Sequence, residues 1–242
     1  MSVVEFRDVS YEIGGRAILA GVSFAVEAGE TLVLLGRSGS GKTTALKMTN
    51  GMLRPTRGQV FIDGRASSDW DPIRLKRHIG YVIQEVGLFP HFTVADNVGL
   101  VPKLENWERP RIVKRVDELL DAVGLPPVQF RLRYPRQLSG GQRQRVGVAR
   151  ALAADPALLL FDEPFGAVDP VTRTELQQQF LALRRDFRKT SIFVTHDVRE
   201  ALRLGSRIAL LANGRVDLIA EPHVFRQAQT DEARAFLKVL ED

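Results

Sequence analysis

Residues 31–52 read TLVLLGRSGSGKTTALKMTNGM, and this stretch decides the fold. Thr31 to Leu35 is an apolar run of strand length, Gly36 to Gly41 is rich in glycine, and the residues from Lys42 through Met52 have helical composition. The segment Gly36-Arg37-Ser38-Gly39-Ser40-Gly41-Lys42-Thr43 matches G-x-x-x-x-G-K-[ST] and stands between a strand and a helix, where such a loop works. Glycines let backbone N–H groups curl toward phosphate, and the helix N-terminus adds positive potential. Lys42 is expected to reach the β- and γ-phosphates and the Thr43 hydroxyl to bind Mg²⁺. Gly36, Ser38, Gly39, Ser40, Gly41, Lys42, Thr43 and Thr44 are therefore the candidate contacts of a magnesium–nucleoside triphosphate.

Upstream, Val4, Phe6, Val9, Tyr11 and Ile13 approximate a strand alternation, Gly14-Gly15 gives a turn, and Ile18 to Val26 resumes the extended pattern, which predicts antiparallel β structure. Downstream, strands are expected at Val60 to Asp63, Gly80 to Ile83, Ala157 to Asp162, Ser191 to Thr195 and Arg207 to Ala212, several followed by helical stretches. That alternation implies an α/β protein with a mainly parallel sheet. Between Thr93 and Tyr134 the strand signals stop, and Ile112, Val116, Leu119, Leu120 and Val123 recur at helical spacing, so a helical insertion is expected. Asn213-Gly214 reads as a hairpin turn and Asp231 to Asp242 as a closing helix. With no repeat and no linker composition, residues 1–242 read as one domain with lobes.

Two further stretches carry chemistry. Leu158 to Glu163 is an apolar run ending in two carboxylates, the way a buried parallel strand delivers charge to a site at its carboxyl end. Asp162 is expected to hold Mg²⁺, and Glu163 to polarise an attacking water as general base. Leu138-Ser139-Gly140-Gly141-Gln142 precedes a basic helical segment, and a serine followed by two glycines at a helix start is a second anion-binding arrangement.

The composition narrows the setting. With 44% apolar and 26% charged residues over 242 positions, the chain has the make-up of a globular protein with a packed core. It contains no cysteine, which removes disulfides, thiolate metal sites and thiol nucleophiles. No apolar run approaches the roughly 20 residues of a membrane span, and the N-terminus MSVVEFRDVSYEI lacks the basic-then-apolar form of a signal peptide. The net charge of +5 comes from scattered basic residues, a solvated surface rather than a nucleic-acid groove, and no nucleic-acid partner is expected.

Over nearly its full length, and with these motifs in this order, the chain resembles the ATP-binding cassette (ABC) proteins. The resemblance implies a RecA-like, mainly parallel core, an antiparallel β subdomain and an α-helical subdomain inserted at about residues 85–155. It also implies ATP and Mg²⁺ as cofactors, and a dimer of ATPase subunits in which Ser139, Gly140, Gly141 and Gln142 contact the ATP held by the other subunit. Position by position, it implies that Tyr11 stacks on adenine, that Gln84 touches Mg²⁺ or water, that His196 hydrogen-bonds the γ-phosphate, and that Asp169 belongs to the inter-subunit loop, with Val168 where leucine is usual. Lys42, Gln84, Glu163 and His196 would form the catalytic set, and Thr43, Gln84 and Asp162 the metal set.

The segments YVIQEVGLFPH (81–91) and KMTNGMLRPTRG (47–58), with Asp169-Pro170-Val171-Thr172-Arg173, are similar to importers of glycine betaine, carnitine and choline. A permease helix is then expected near Val86 to His91, with Phe89 and Phe92 either in that groove or in the core. The subunit would sit on the cytoplasmic face of the inner membrane, bound to transmembrane permease subunits and served by a substrate-binding protein. The regulatory extension common in that group is not expected within these residues. An ATPase for amino acids or another small polar solute, and a soluble ABC ATPase outside transport, are the alternatives.

Overall fold

Val4, Phe6 and Val9 are all buried although the last two are three residues apart. The strand accommodates this by slipping register between Phe6 and Val9, with Asp8 at φ 49°, a bulge that turns both side chains inward. The computed structural model describes residues 2–84, 86–166 and 168–240. They form two compact units, one made of Met1–Lys76 with Lys189–Asp242 and the other of Arg77–Arg188.

In the first unit, β1 (Ser2–Ile13) and β2 (Arg16–Glu27) make an antiparallel pair in which Phe6 stacks on Phe24 at 4.4 Å between ring centroids. β3 (Thr31–Leu35) is buried at every position and leads through the glycine loop into α1 (Lys42–Thr49). β4 (Arg57–Ile62) and β5 (Arg65–Ala66) complete a four-stranded sheet in the order β2-β1-β4-β5, and α2 (Pro72–His78) ends this part of the chain.

The second unit opens with β6 (Ile79–Val82) and continues through short helices α3 (Val94–Val98) and α4 (Leu100–Leu104) to α5 (Arg109–Ala122) and α6 (Pro127–Phe130). The predicted helical spacing is realised in α5, where Val116, Leu119 and Leu120 are buried. Thr93 caps α3 in a reciprocal box with Asp96, which satisfies donors that a helix start leaves open. α7 (Gly140–Leu152), β7 (Leu158–Asp162) and α8 (Pro170–Phe187) follow, with β7 parallel to β6. The expected insertion begins at Glu85, which lies outside the described residues.

The chain then returns to the first unit. β8 (Thr190–Thr195) pairs in parallel with β3, α9 (Val198–Leu204) crosses, and β9 (Arg207–Ala212) pairs in parallel with β3 on its other side. The uniform burial of β3 and β8 is what a parallel strand covered on both faces requires. Asn213 at φ 49° and Gly214 at φ 74° turn the chain into antiparallel β10 (Arg215–Ala220), the twisted two-residue turn that an Asn-Gly pair favours. α10 (Pro222–Phe225) and α11 (Asp231–Lys238) close the described chain; of the expected helix to Asp242, Glu241 and Asp242 lie outside the described residues. No described helix is long and apolar enough to cross a membrane.

Gly80 in β6 is a contact point between strand and helix: a Cβ there would stand 2.3 Å from the Ala151 carbonyl oxygen of α7. Backbone cannot yield as a side-chain end can, so Gly80→Ala is expected to lower stability by about 1–3 kcal/mol, read as a lower urea midpoint against the parent chain.

Candidate functional site

In the first unit the glycine loop is drawn around a buried ammonium. Lys42, only 4% exposed, donates from Nζ to the carbonyls of Gly36 and Arg37, both at 2.8 Å. The loop's closeness explains its glycines: a Cβ at Gly36 would sit 2.4 Å from the Leu211 carbonyl oxygen, and one at Gly41 would sit 2.5 Å from the Leu19 Cδ2. Gly41 also holds φ 100° at the N-cap of α1, a conformation costly for other residues. Gly39, at φ 80°, has nothing within 4 Å of its Cβ position and leaves one side of the loop open.

Ser40 Oγ is buried and finds no hydrogen-bond partner among the described residues. A buried hydroxyl left in this way carries a desolvation cost, which a phosphate oxygen would relieve. Ser38 and Gly39 are exposed, while Thr43 and Thr44 on the first turn of α1 are half-buried. The loop is also tied to the last described helix, because Arg37 Nε donates to Glu232 Oε1 of α11 at 2.7 Å.

Tyr11 is half-buried in β1 opposite Leu19. His196 is exposed just beyond β8, in a turn stiffened by Thr195 Oγ1, which donates to Glu200 Oε2 at 2.6 Å and accepts from Asp197 N at 3.0 Å.

In the second unit the two carboxylates emerge at the carboxyl end of β7. Asp162 is 9% exposed and its Oδ2 accepts a hydrogen bond from the Tyr81 hydroxyl of β6 at 3.2 Å. Burial, and then the adjacent Asp162 charge and this bond, push the Tyr81 phenol well above the usual tyrosine range, so it stays a donor. Tyr81 was given no role from sequence; its place on the strand beside β7 is the signal, and it exists only once the two strands are paired.

Glu163 lies at φ 45°. The Cβ position of Gly166 lies 3.6 Å from the Gln84 amide nitrogen and 3.9 Å from Glu163 Oε2, so the fold brings Gln84 and Glu163 around one small space.

The second predicted anion grip is a capped helix start. Ser139 Oγ accepts from Gln142 N at 3.2 Å while Gln142 Oε1 accepts from Ser139 N at 3.0 Å, a reciprocal box at the head of α7. Its two glycines differ in use. A Cβ at Gly140 would face open space, whereas one at Gly141 would lie 2.5 Å from Thr172 Cγ2 of α8. Asp169 Oδ1 accepts from Val171 N and Thr172 N and so caps α8; a hydrogen bond from the Thr172 side chain first, and then these main-chain bonds, hold its carboxyl below the usual range.

Among the described residues no three His, Asp or Glu side chains form a protein cage for a metal. Mg²⁺ does not need one, since it keeps several waters and takes one or two carboxylates with substrate phosphates. The Asp162 carboxylate at the end of β7 in one unit and the Thr43 hydroxyl at the head of α1 in the other are both ligand types of that chemistry.

The family model described as ABC transporter matches residues 19–166. The osmoprotectant import ATP-binding protein OsmV of Salmonella typhimurium is 50% identical over 201 residues, 83% of this chain and 53% of that protein. The choline transport ATP-binding protein OpuBA of Bacillus subtilis is 47% identical over 219 residues, 90% of this chain and 57% of that protein. The chain thus spans about half the length of these curated relatives. Among solved structures, a dimeric ATP-binding cassette in a post-hydrolysis state bound to ADP and Pi is similar with a TM-score of 0.80 at 34% identity, over 90% of this chain and 98% of that one.

The loop geometry makes a direct demand on Lys42. Lys42→Ala removes the only buried ammonium of the glycine loop and is expected to weaken MgATP binding about 10- to 100-fold, measured by titration with a fluorescent ATP analogue.

Proposed function

Since this chain belongs to the ABC transporter family, we propose that it is the ATP-hydrolysing subunit of an importer, working as one of a pair of cassettes on transmembrane permease subunits. The observation that carries this reading is the glycine loop closed on Lys42, whose ammonium is held by main-chain carbonyls that a triphosphate can replace. The relatives' named roles, osmoprotectant import and choline transport, support a cargo of the quaternary-amine class. A substrate-binding protein delivers that cargo, and the subunit sits peripherally on the cytoplasmic face of the inner membrane.

In this reading Lys42 turns from Gly36 and Arg37 toward the β- and γ-phosphates, and the N–H groups of residues 39–44 and the Ser40 hydroxyl cradle them. Tyr11 stacks on the adenine. Thr43, Gln84 and Asp162 would hold Mg²⁺, and the ion would neutralise charge on the phosphate oxygens. Tyr81 fixes the Asp162 carboxylate by its hydrogen bond.

Glu163 accepts a proton from the attacking water as the water oxygen bonds to the γ-phosphorus and the bond to the bridging oxygen breaks. His196 donates a hydrogen bond to the γ-phosphate. Ser139, Gly140, Gly141 and Gln142 of one cassette close on the ATP held by the other, and Asp169 lies in the loop between the two. ATP thereby stabilises the closed pair, and phosphate loss lets it reopen.

Glu163→Gln keeps the shape of the side chain but not its basicity. Phosphate release is expected to fall about 10²- to 10⁴-fold, while MgATP still produces a dimer by light scattering. Hydrolysis at the parent rate would overturn the general-base assignment. Captured from membranes in MgATP, the same variant is expected to bring down a permease with a betaine-type binding protein; recovery of only soluble or nucleic-acid-associated proteins would overturn the transport role.

A further inference from the structure

α7 is fastened to β6 and to the segment that follows it at three points. A Cβ at Gly147 would stand 2.4 Å from Val86 Cγ1, so the Val86 side chain occupies the hollow that the missing methyl leaves on the helix. One turn further, Arg150 donates from both terminal nitrogens to consecutive carbonyls, Val86 O at 2.6 Å and Gly87 O at 2.8 Å. Beside it, the Ala151 carbonyl abuts Gly80 of β6. Positions 147, 150 and 151 share one helix face.

α3 holds the rest of the segment. Asn97 is fully buried; its Oδ1 accepts from Phe89 N at 2.8 Å and its Nδ2 donates to the carbonyls of Phe89, Phe92 and Thr93 at 3.2, 3.3 and 2.9 Å. The backbone from Val86 to Thr93 is therefore clamped, yet Phe89 and His91 are exposed and Phe92 is half-buried. Phe89 is 41% exposed and packs with His91 and Phe92 at ring-centroid distances of 6.2 and 5.3 Å.

An exposed loop is ordinarily the most mobile part of a fold. A planar guanidinium bonded to two successive carbonyls fixes direction as well as distance, which a point charge does not. The Val86 knob in the Gly147 hollow resists sliding along the helix, because close-packed surfaces do not deform continuously. At 1.5 Å per residue, Arg150 lies about 16 Å along α7 from the Ser139 cap.

We propose that Arg150 and Gly147 are positioning residues that make α7 and residues 86–92 a single lever, so that displacement of the Ser139 end of the helix is delivered to Phe89, His91 and Phe92. The inference rests on the reading in which MgATP draws the head of α7 into a dimer.

Because the chain has no cysteine, one introduced thiol is a unique point of attachment. His91→Cys in the Glu163→Gln background is labelled with an environment-sensitive fluorophore, and dimerisation by light scattering and fluorescence are followed in the same MgATP titration. The parent is expected to dimerise with a fluorescence change. Arg150→Ala is expected to dimerise and lose at least half of that change, water replacing the guanidinium at the two carbonyls. Arg150→Lys regains part of it, since an ammonium still bonds one carbonyl.

Gly147→Ala is expected to diminish the change in the same way and Val86→Ala to restore it, which a general loss of stability would not do; this size swap decides the matter if Arg150→Ala fails to fold. A dimer of Arg150→Ala with the full fluorescence change, or a Gly147→Ala defect that Val86→Ala leaves untouched, overturns the lever. A parent dimer with no fluorescence change overturns it alone. A parent that forms no dimer in MgATP overturns the nucleotide-driven reading, and the lever with it.

Discussion

A charge taken out of water must be surrounded by oxygens, and the buried Lys42 ammonium imposes that demand on everything around it. The nearest supply is main chain, so the carbonyls of Gly36 and Arg37 turn inward. That turn forces the loop against the Leu211 carbonyl and the Leu19 side chain, which leaves no room for side chains at Gly36 and Gly41. It also sets where β3 must stop and α1 must start. The lysine's bonds to neutral carbonyls are exchangeable for stronger ones to an anion, so the same arrangement that folds the loop without a ligand prepares it for one.

The head of α7 is held together differently. Its first turn is closed by the Ser139–Gln142 box, and Arg143 Nη1 donates to the Leu138 carbonyl at 3.2 Å just ahead of it. Gly140 is left open for approach while Gly141 is pressed on α8. One glycine thus stands open and its neighbour serves packing, a division that identical letters in a sequence cannot display.

The legible part of this protein was whatever a short window contains. Strand, glycine loop and helix at 31–52 were evident because the apolar run, the turn residues and the helical composition are contiguous, and the Asn213-Gly214 turn was evident because an Asn-Gly pair readily takes two positive φ angles in succession. The site residues read from sequence were those inside such windows. Tyr81 carries no local sign of its role because its partner Asp162 is 81 positions away. Arg150 looked like one more basic residue on a basic helix, and its two acceptors lie more than 60 positions upstream. Such roles arise from pairing across the fold, and no local periodicity records them. Asp8 is a milder case: the simple alternation predicted for β1 missed the bulge that its positive φ creates.

Among the described non-glycine residues at positive φ, Asp8, Asp63, Asn106, Asp155 and Asn213 have the short polar side chains that tolerate it, while Glu163 and Arg188 do not. Arg188 merely ends α8, but Glu163 stands where its backbone would be more at ease as glycine or asparagine. Selection for robustness alone would therefore erode this carboxylate, as strained functional positions generally oppose stability. In the general-base role proposed for it, its persistence in a lineage would be a record of turnover being needed, and its loss the first mark of a cassette drifting from motor to passive clamp.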